Sequence, residues 1–196
     1  MPKLLSKITS ITEYLLLPYD GNRTELVDGQ IEEMAEASPF HADIIDFLLL
    51  LLKGHVVEAG FSYIVRAGAI GIEIPRSDRN NNVRDSDLIV CDRAQWKRMR
   101  HLTKVVFGAG SPPALAVEVA SLGNTKRDTE DKRLEYALAQ VPEYWIVNPV
   151  DDRVLTMMLV DGEYQEIGES RENNFVRSNL FPTLSVTAAS LIDPEA

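Results

Sequence analysis

Apolar and polar positions change period several times along the chain. Ser10 to Leu17 predicts a short helix closed by Pro18. Glu25–Val27, Asp28-Gly29 and Gln30–Glu32 predict a hairpin with a type I′ turn. Ser38-Pro39 then opens a long helix, Ser38 suiting the N-cap and Pro39 the first helical position. It is expected to run to about Val57 and to end at Gly60. Its second half is apolar on most sides, so it is buried or packed between a sheet and a partner. Strands are expected at Ser62–Arg66, Ala69–Ile74, Arg84–Cys91, Ala114–Ala120 and Tyr144–Asn148. A last hairpin joins Val154–Val160 to Glu163–Ile167 through Asp161-Gly162. A second helix, about Lys126 to Gln140, lies between the strands ending at Ala120 and starting at Tyr144. Leu134, Ala137, Leu138 and Val141 form its expected core stripe, with Asp128, Lys132 and Tyr136 on the opposite face. Strand, helix, strand in that order predicts a βαβ crossover and a mixed α/β class. No repeat or linker interrupts the pattern, so one domain is expected over residues 1–196.

Composition narrows the class. The chain has 196 residues, 45% hydrophobic and 26% charged, the balance of a soluble globular protein. The apolar run Phe47 to Leu52 is far short of the about 20 residues that a membrane span requires. No secretory leader is read at Met1 to Ser6, and a cytoplasmic protein is expected. The lone Cys91 excludes an internal disulfide and a cysteine zinc cage. It follows Leu88-Ile89-Val90, so it reads as strand packing more readily than as a nucleophile. Acids outnumber bases 30 to 20, a net charge of −10, which by itself argues against a nucleic-acid partner.

Three residues carry the chemistry. Glu118 lies inside the apolar strand Ala114–Ala120, where an unpaired buried carboxylate is costly. It must meet a cation, a metal or a donor. Alternation puts it on a face lined by Ala116 and Ala120, which leaves room beside it. Asp87 heads a second apolar strand and shares a face with Asp85. If the two strands are neighbours, the carboxylates converge and call for a cation between them; oxygen ligands suit Mg²⁺ or Mn²⁺. The alternatives are a nearby Arg for Glu118 and a turn role for Asp87. Lys132 either orients a water and steadies phosphate charge, or simply pairs with Asp128 on a solvated helix face.

In sequence order these pieces resemble the Uma2 family of PD-(D/E)XK nuclease-like proteins, from about Ile8 to Ile192. The matching pieces are Glu25 to Ile31, Ser38 with His41, Arg84-Asp85-Ser86-Asp87, and Glu118-Val119-Ala120-Ser121. Asp128, Asp131-Lys132 and Tyr136, Val141 to Val147, Gly162 to Tyr164, and Ser178 to Leu184 complete the set. The resemblance implies a restriction-endonuclease-like fold, a mixed central β-sheet flanked by helices. It implies Asp87 and Glu118 as metal ligands, Lys132 as the family's migrated lysine, and Mg²⁺-assisted hydrolysis of DNA phosphodiesters. Glu25, His41, Asp128 and Tyr136 are possible accessory residues. His41 reads more readily as a local helix-start contact. Ser86 stands where the family has proline, which alters backbone shape and removes no ligand. Lys132 follows Glu118 by 14 positions and sits on the face expected to point away from the core.

This changes what −10 means, because phosphate binding needs only a local positive surface. Arg93, Lys97, Arg98, Arg100 and Lys104 form a basic segment between the two carboxylate strands. It contacts phosphates or is a solvated helix. Weak, salt-sensitive DNA binding and a homodimer are therefore expected. The alternative function is an inactive nuclease-fold module that binds nucleic acid or protein.

Overall fold

Between the polar breaks, the apolar runs assemble on one sheet. The computed structural model describes residues 10–18, 21–77, 80–121 and 130–195. In chain order the elements are α1 (Ile11–Leu15), β1 (Thr24–Val27), β2 (Gln30–Glu33), α2 (Pro39–Glu58) and β3 (Tyr63–Ile74). They continue with β4 (Asn82–Asp92), α3 (Arg93–Met99), β5 (Val105–Phe107), β6 (Leu115–Val119) and α4 (Lys132–Leu138). The last are β7 (Glu143–Asn148), β8 (Arg153–Val160), β9 (Glu163–Ser170) and α5 (Ala188–Ile192). Nine strands form one sheet in the order β2-β1-β4-β6-β7-β8-β9, with β3 beside β4 and β5 beside β3. The β6–β7 pair is parallel and flanks α4, the expected crossover. The sheet is otherwise antiparallel except for β3–β5.

Local chemistry explains the joints. Asp28 and Gly29 both take positive φ, 50° and 75°, as a type I′ turn requires. The Ser38 side chain accepts the His41 backbone N–H at 3.2 Å and caps α2. The two strands expected on either side of Gly68 are one strand. Gly68 takes φ 100° at an irregularity between Ala67 and Ile70, and the ladder to β4 then resumes.

Each sheet face is covered. Leu88, Val90, Leu115, Val117 and Trp145 pack with Ile44, Leu48, Leu52 and Val56 of α2 and with Leu191 of α5. On the other face Ile72, Ile89, Cys91, Ala116 and Ile146 pack with Tyr136 and Ala137 of α4. Among the described residues no helix is long and apolar enough to cross a membrane.

The face of α4 corrects the sequence pattern. Leu134 and Leu138, expected in the core, are 69% and 55% exposed, whereas Lys132 and Tyr136 are buried. Ala137 and Val141 are buried as expected. The cause is the strand beneath. Turning the leucines inward would remove from Glu118, Glu25 and Arg84 the partners that α4 supplies, leaving three buried charges short at once. Asp128 and the rest of 122–129 lie outside the described residues.

Candidate functional site

The site grows out of an opening in the sheet. Along one edge β4 pairs with β3 over nearly its whole length. Along the other it meets β1 at Val83 and β6 only from Leu88 to Val90. Between these two strands, side chains stand in for a missing ladder. Glu25 accepts the Asp85 N–H at 3.1 Å, and the Lys132 ammonium donates to the Asp85 carbonyl at 3.1 Å. Ser86 Oγ donates to the Val117 carbonyl at 3.2 Å. Asp87 Oδ2 accepts the Val119 N–H at 3.0 Å. The topology therefore requires polar side chains here, inside an otherwise apolar fold.

Continuing the β4–β6 register by one step from Leu88↔Val117 sets Asp87 beside Glu118. The Glu118 carboxylate accepts from Lys132 Nζ and from the Tyr136 hydroxyl, each at 2.7 Å. Burial, reinforced by Glu118, keeps the Tyr136 hydroxyl protonated far above its ordinary range, so it serves as donor. Burial works against ionisation of Asp87. His41, 3.4 Å away, together with the Lys132 charge and the Val119 N–H, outweighs it and holds the carboxyl at about 2. Glu25 pairs with Arg84 at 2.8 Å and lies 3.6 Å from Lys132. Arg84 Nε also pairs with Glu135, to which Asn82 donates at 3.1 Å.

Asp87, Glu118, Lys132, Glu25, His41 and Tyr136 thus meet in one cluster, and Lys132 reaches it despite its 14-residue offset. Arg23, Glu135 and Asn82 belong to it as well and carried no signal of their own; Arg84, named only as part of a matching piece, joins them. Arg23 Nε binds Asp85 at 2.7 Å across 62 residues, a pairing that no local spacing encodes. Cys91 is buried, and burial pushes its thiol up to about 12, so it is packing. His55 lies edge-on to Phe181, away from the cluster. The basic segment begins as α3, capped by Asp92. Next to Asp87, a cleft of about 330 Å³ is lined by Ser38, Phe40, His41, Val119, Ala120, Ser121, Pro149 and Val150.

The donor set suits a hard divalent cation. Asp85, Asp87, Glu118, Glu25 and Glu135 face Arg23, Arg84 and Lys132, which leaves carboxylates in excess. Asp85 Oδ1 is buried without a partner among the described residues. No group of three His, Cys, Asp or Glu there forms a cage by itself. Mg²⁺ does not need one, since it keeps several waters and takes one or two carboxylates.

Comparison with known proteins agrees with this architecture. No curated protein matches the chain. The crystal structure of a "putative nuclease belonging to DUF820" from Anabaena variabilis matches with a TM-score of 0.73. The match covers 94% of this chain and 97% of that one at 14% identity. The likeness shows the same fold, a mixed central sheet flanked by helices. The model of the Uma2 family, described as "Putative restriction endonuclease", matches residues 11–189, and the chain belongs to that family.

Proposed function

We propose that the protein is a metal-dependent endonuclease that hydrolyses DNA phosphodiester bonds, with Asp87, Glu118 and Lys132 as its working residues. The observation that carries this reading is the meeting of a β4 carboxylate, a β6 carboxylate and the α4 lysine at the mouth of the sheet opening. Asp87 and Glu118 would hold Mg²⁺ or Mn²⁺, which when bound supplies Lewis acidity to the scissile phosphate. Lys132 fixes the Glu118 carboxylate and adds positive charge where phosphate charge develops. Tyr136 holds the other Glu118 oxygen and limits its rotation. His41 and the Val119 N–H fix Asp87 and keep it ionised at neutral pH. Glu25 and Arg84 support the lysine from behind.

The test is cleavage of supercoiled plasmid by purified protein with Mg²⁺ or Mn²⁺. Asp87→Ala and Glu118→Ala should each reduce nicking by at least about a hundredfold. Undiminished cleavage in both would sink the assignment. One observation favours a second reading, a binding module with a purely structural charge network. Both Glu118 oxygens are already engaged, by Lys132 and Tyr136. That reading expects DNA binding with no cleavage under any divalent metal.

A further inference from the structure

Two buried carboxylates of this fold are provided for very differently. Glu143 accepts from Trp145 Nε1 and Ser178 Oγ on one oxygen, and from the Asn179 and Leu180 N–H groups on the other. That is how this chain settles a structural carboxylate: four donors, none of them charged. Asp85 is as deeply buried, at 3% exposure, yet Oδ1 has no hydrogen-bond partner among the described residues. Its Oδ2 rests on Arg23 Nε at 2.7 Å.

Arg23 differs from the other cations of the cluster. Arg84 and Lys132 are buried, whereas the Arg23 side chain is 26% exposed. It lies just before β1 and spans the acids at the mouth of the opening. Nη1 is 3.3 Å from Asp87 Oδ1, and Nη2 is 3.4 Å from the Ser86 carbonyl. A guanidinium so placed neutralises Asp85 together with the ligand Asp87, and its partial exposure keeps it at the surface side of the cluster.

We propose that Asp85 is a third cation ligand beside Asp87, and that Arg23 is a resident competitor that withdraws from both when a divalent cation binds. The inference rests on the metal-dependent reading above. Its sign follows from charge: a fixed cation repels a second one, and whatever Arg23 costs the metal, the metal costs Arg23.

Calorimetric titration of the full chain with MnCl₂, paired with metal-free melting curves, tests it. Arg23→Met should bind Mn²⁺ at least about tenfold more tightly than wild type. Arg23→Lys, which keeps a charge and loses the fork, should fall between the two. Asp85→Asn should bind at least about tenfold more weakly, while its metal-free melting temperature holds or rises, which separates lost binding from lost folding. Arg23→Met binding no better than wild type, or Asp85→Asn binding equally well, overturns the proposal. If Asp87→Asn abolishes Mn²⁺ binding while the Arg23 and Asp85 variants match wild type, this inference alone falls. If wild type and every variant fail to bind, the metal-dependent reading falls with it.

Discussion

Lys132 lies 2.7 Å from Glu118 and 3.6 Å from Glu25, all three side chains being at most 2% exposed. Removing its charge takes the close cation from buried Glu118 and leaves Glu25 with Arg84. Lys132→Met should therefore destabilise the fold by about 3–5 kcal/mol, read by urea denaturation. Adding Glu118→Gln should recover part of that loss, because the second change removes the carboxylate charge that lost its close cation. A double variant no more stable than Lys132→Met would show that the two groups are not coupled. Asp87 makes a pH prediction of definite sign. Its folded carboxyl lies at about 2 against an ordinary 3.8, so the ionised form is favoured by folding. That stabilisation is complete above the unfolded value and is lost as pH falls from 3.8 to about 2. It amounts to about 2 kcal/mol. Asp87→Asn should flatten the acid limb of the stability curve over that interval, measured by denaturant unfolding at each pH.

At the scale of elements, α4 separates what periodicity can reveal from what it cannot. Leu134 and Leu138 satisfy the helical spacing of a core stripe, yet both are more than half exposed. Leu134→Ser and Leu138→Ser should each cost within about 0.5 kcal/mol in chemical denaturation. Core leucines would cost about 2–5 kcal/mol when truncated, so the same experiment reports which face is inward. The hairpins were legible because their turns are local: Asp28-Gly29 and Asp161-Gly162 both need two positive φ angles, and both have them. The Ser38 cap and the Gly60 stop are local in the same sense. α3 was legible only as a possible solvated helix, and α5 and β5 were not seen. They are short elements whose apolar residues act through distant partners, as Phe107 does on the sheet and Leu191 against α2. The same limit applies to the site. Asp87, Glu118 and Lys132 stood out as charges in apolar or patterned surroundings. The pairs of Arg23 with Asp85 and of Arg84 with Glu135 span 62 and 51 residues, so only the closed sheet brings them together.

At the scale of the whole molecule, a net charge of −10 repels a polyanion, so any hold on DNA must be local. The stretch 93–110 carries five Lys and Arg and no acid. Arg93, Lys97, Arg98 and Arg100 are exposed along and just beyond α3. The same stretch leads into β5, which pairs with Ile70–Ile72 of β3; those residues in turn face Ser86–Arg84 of β4. The basic segment therefore ends two strands from the carboxylates, and phosphates seated on it would extend toward the opening. Each phosphate contact releases counterions, giving a slope of about −0.9 per contact in log affinity against log salt. Changing Lys97, Arg98 and Arg100 together to Gln should flatten that slope by about 2 to 3 and weaken binding. It should leave the melting temperature unchanged, because the three side chains are not buried. Fluorescence anisotropy of a labelled duplex, with Ca²⁺ replacing Mg²⁺ to avoid turnover, measures both. An unchanged slope would make α3 a merely solvated helix. Tight binding at high salt without metal would remove the electrostatic account of DNA recognition altogether, since a chain this acidic has no other long-range attraction for phosphate.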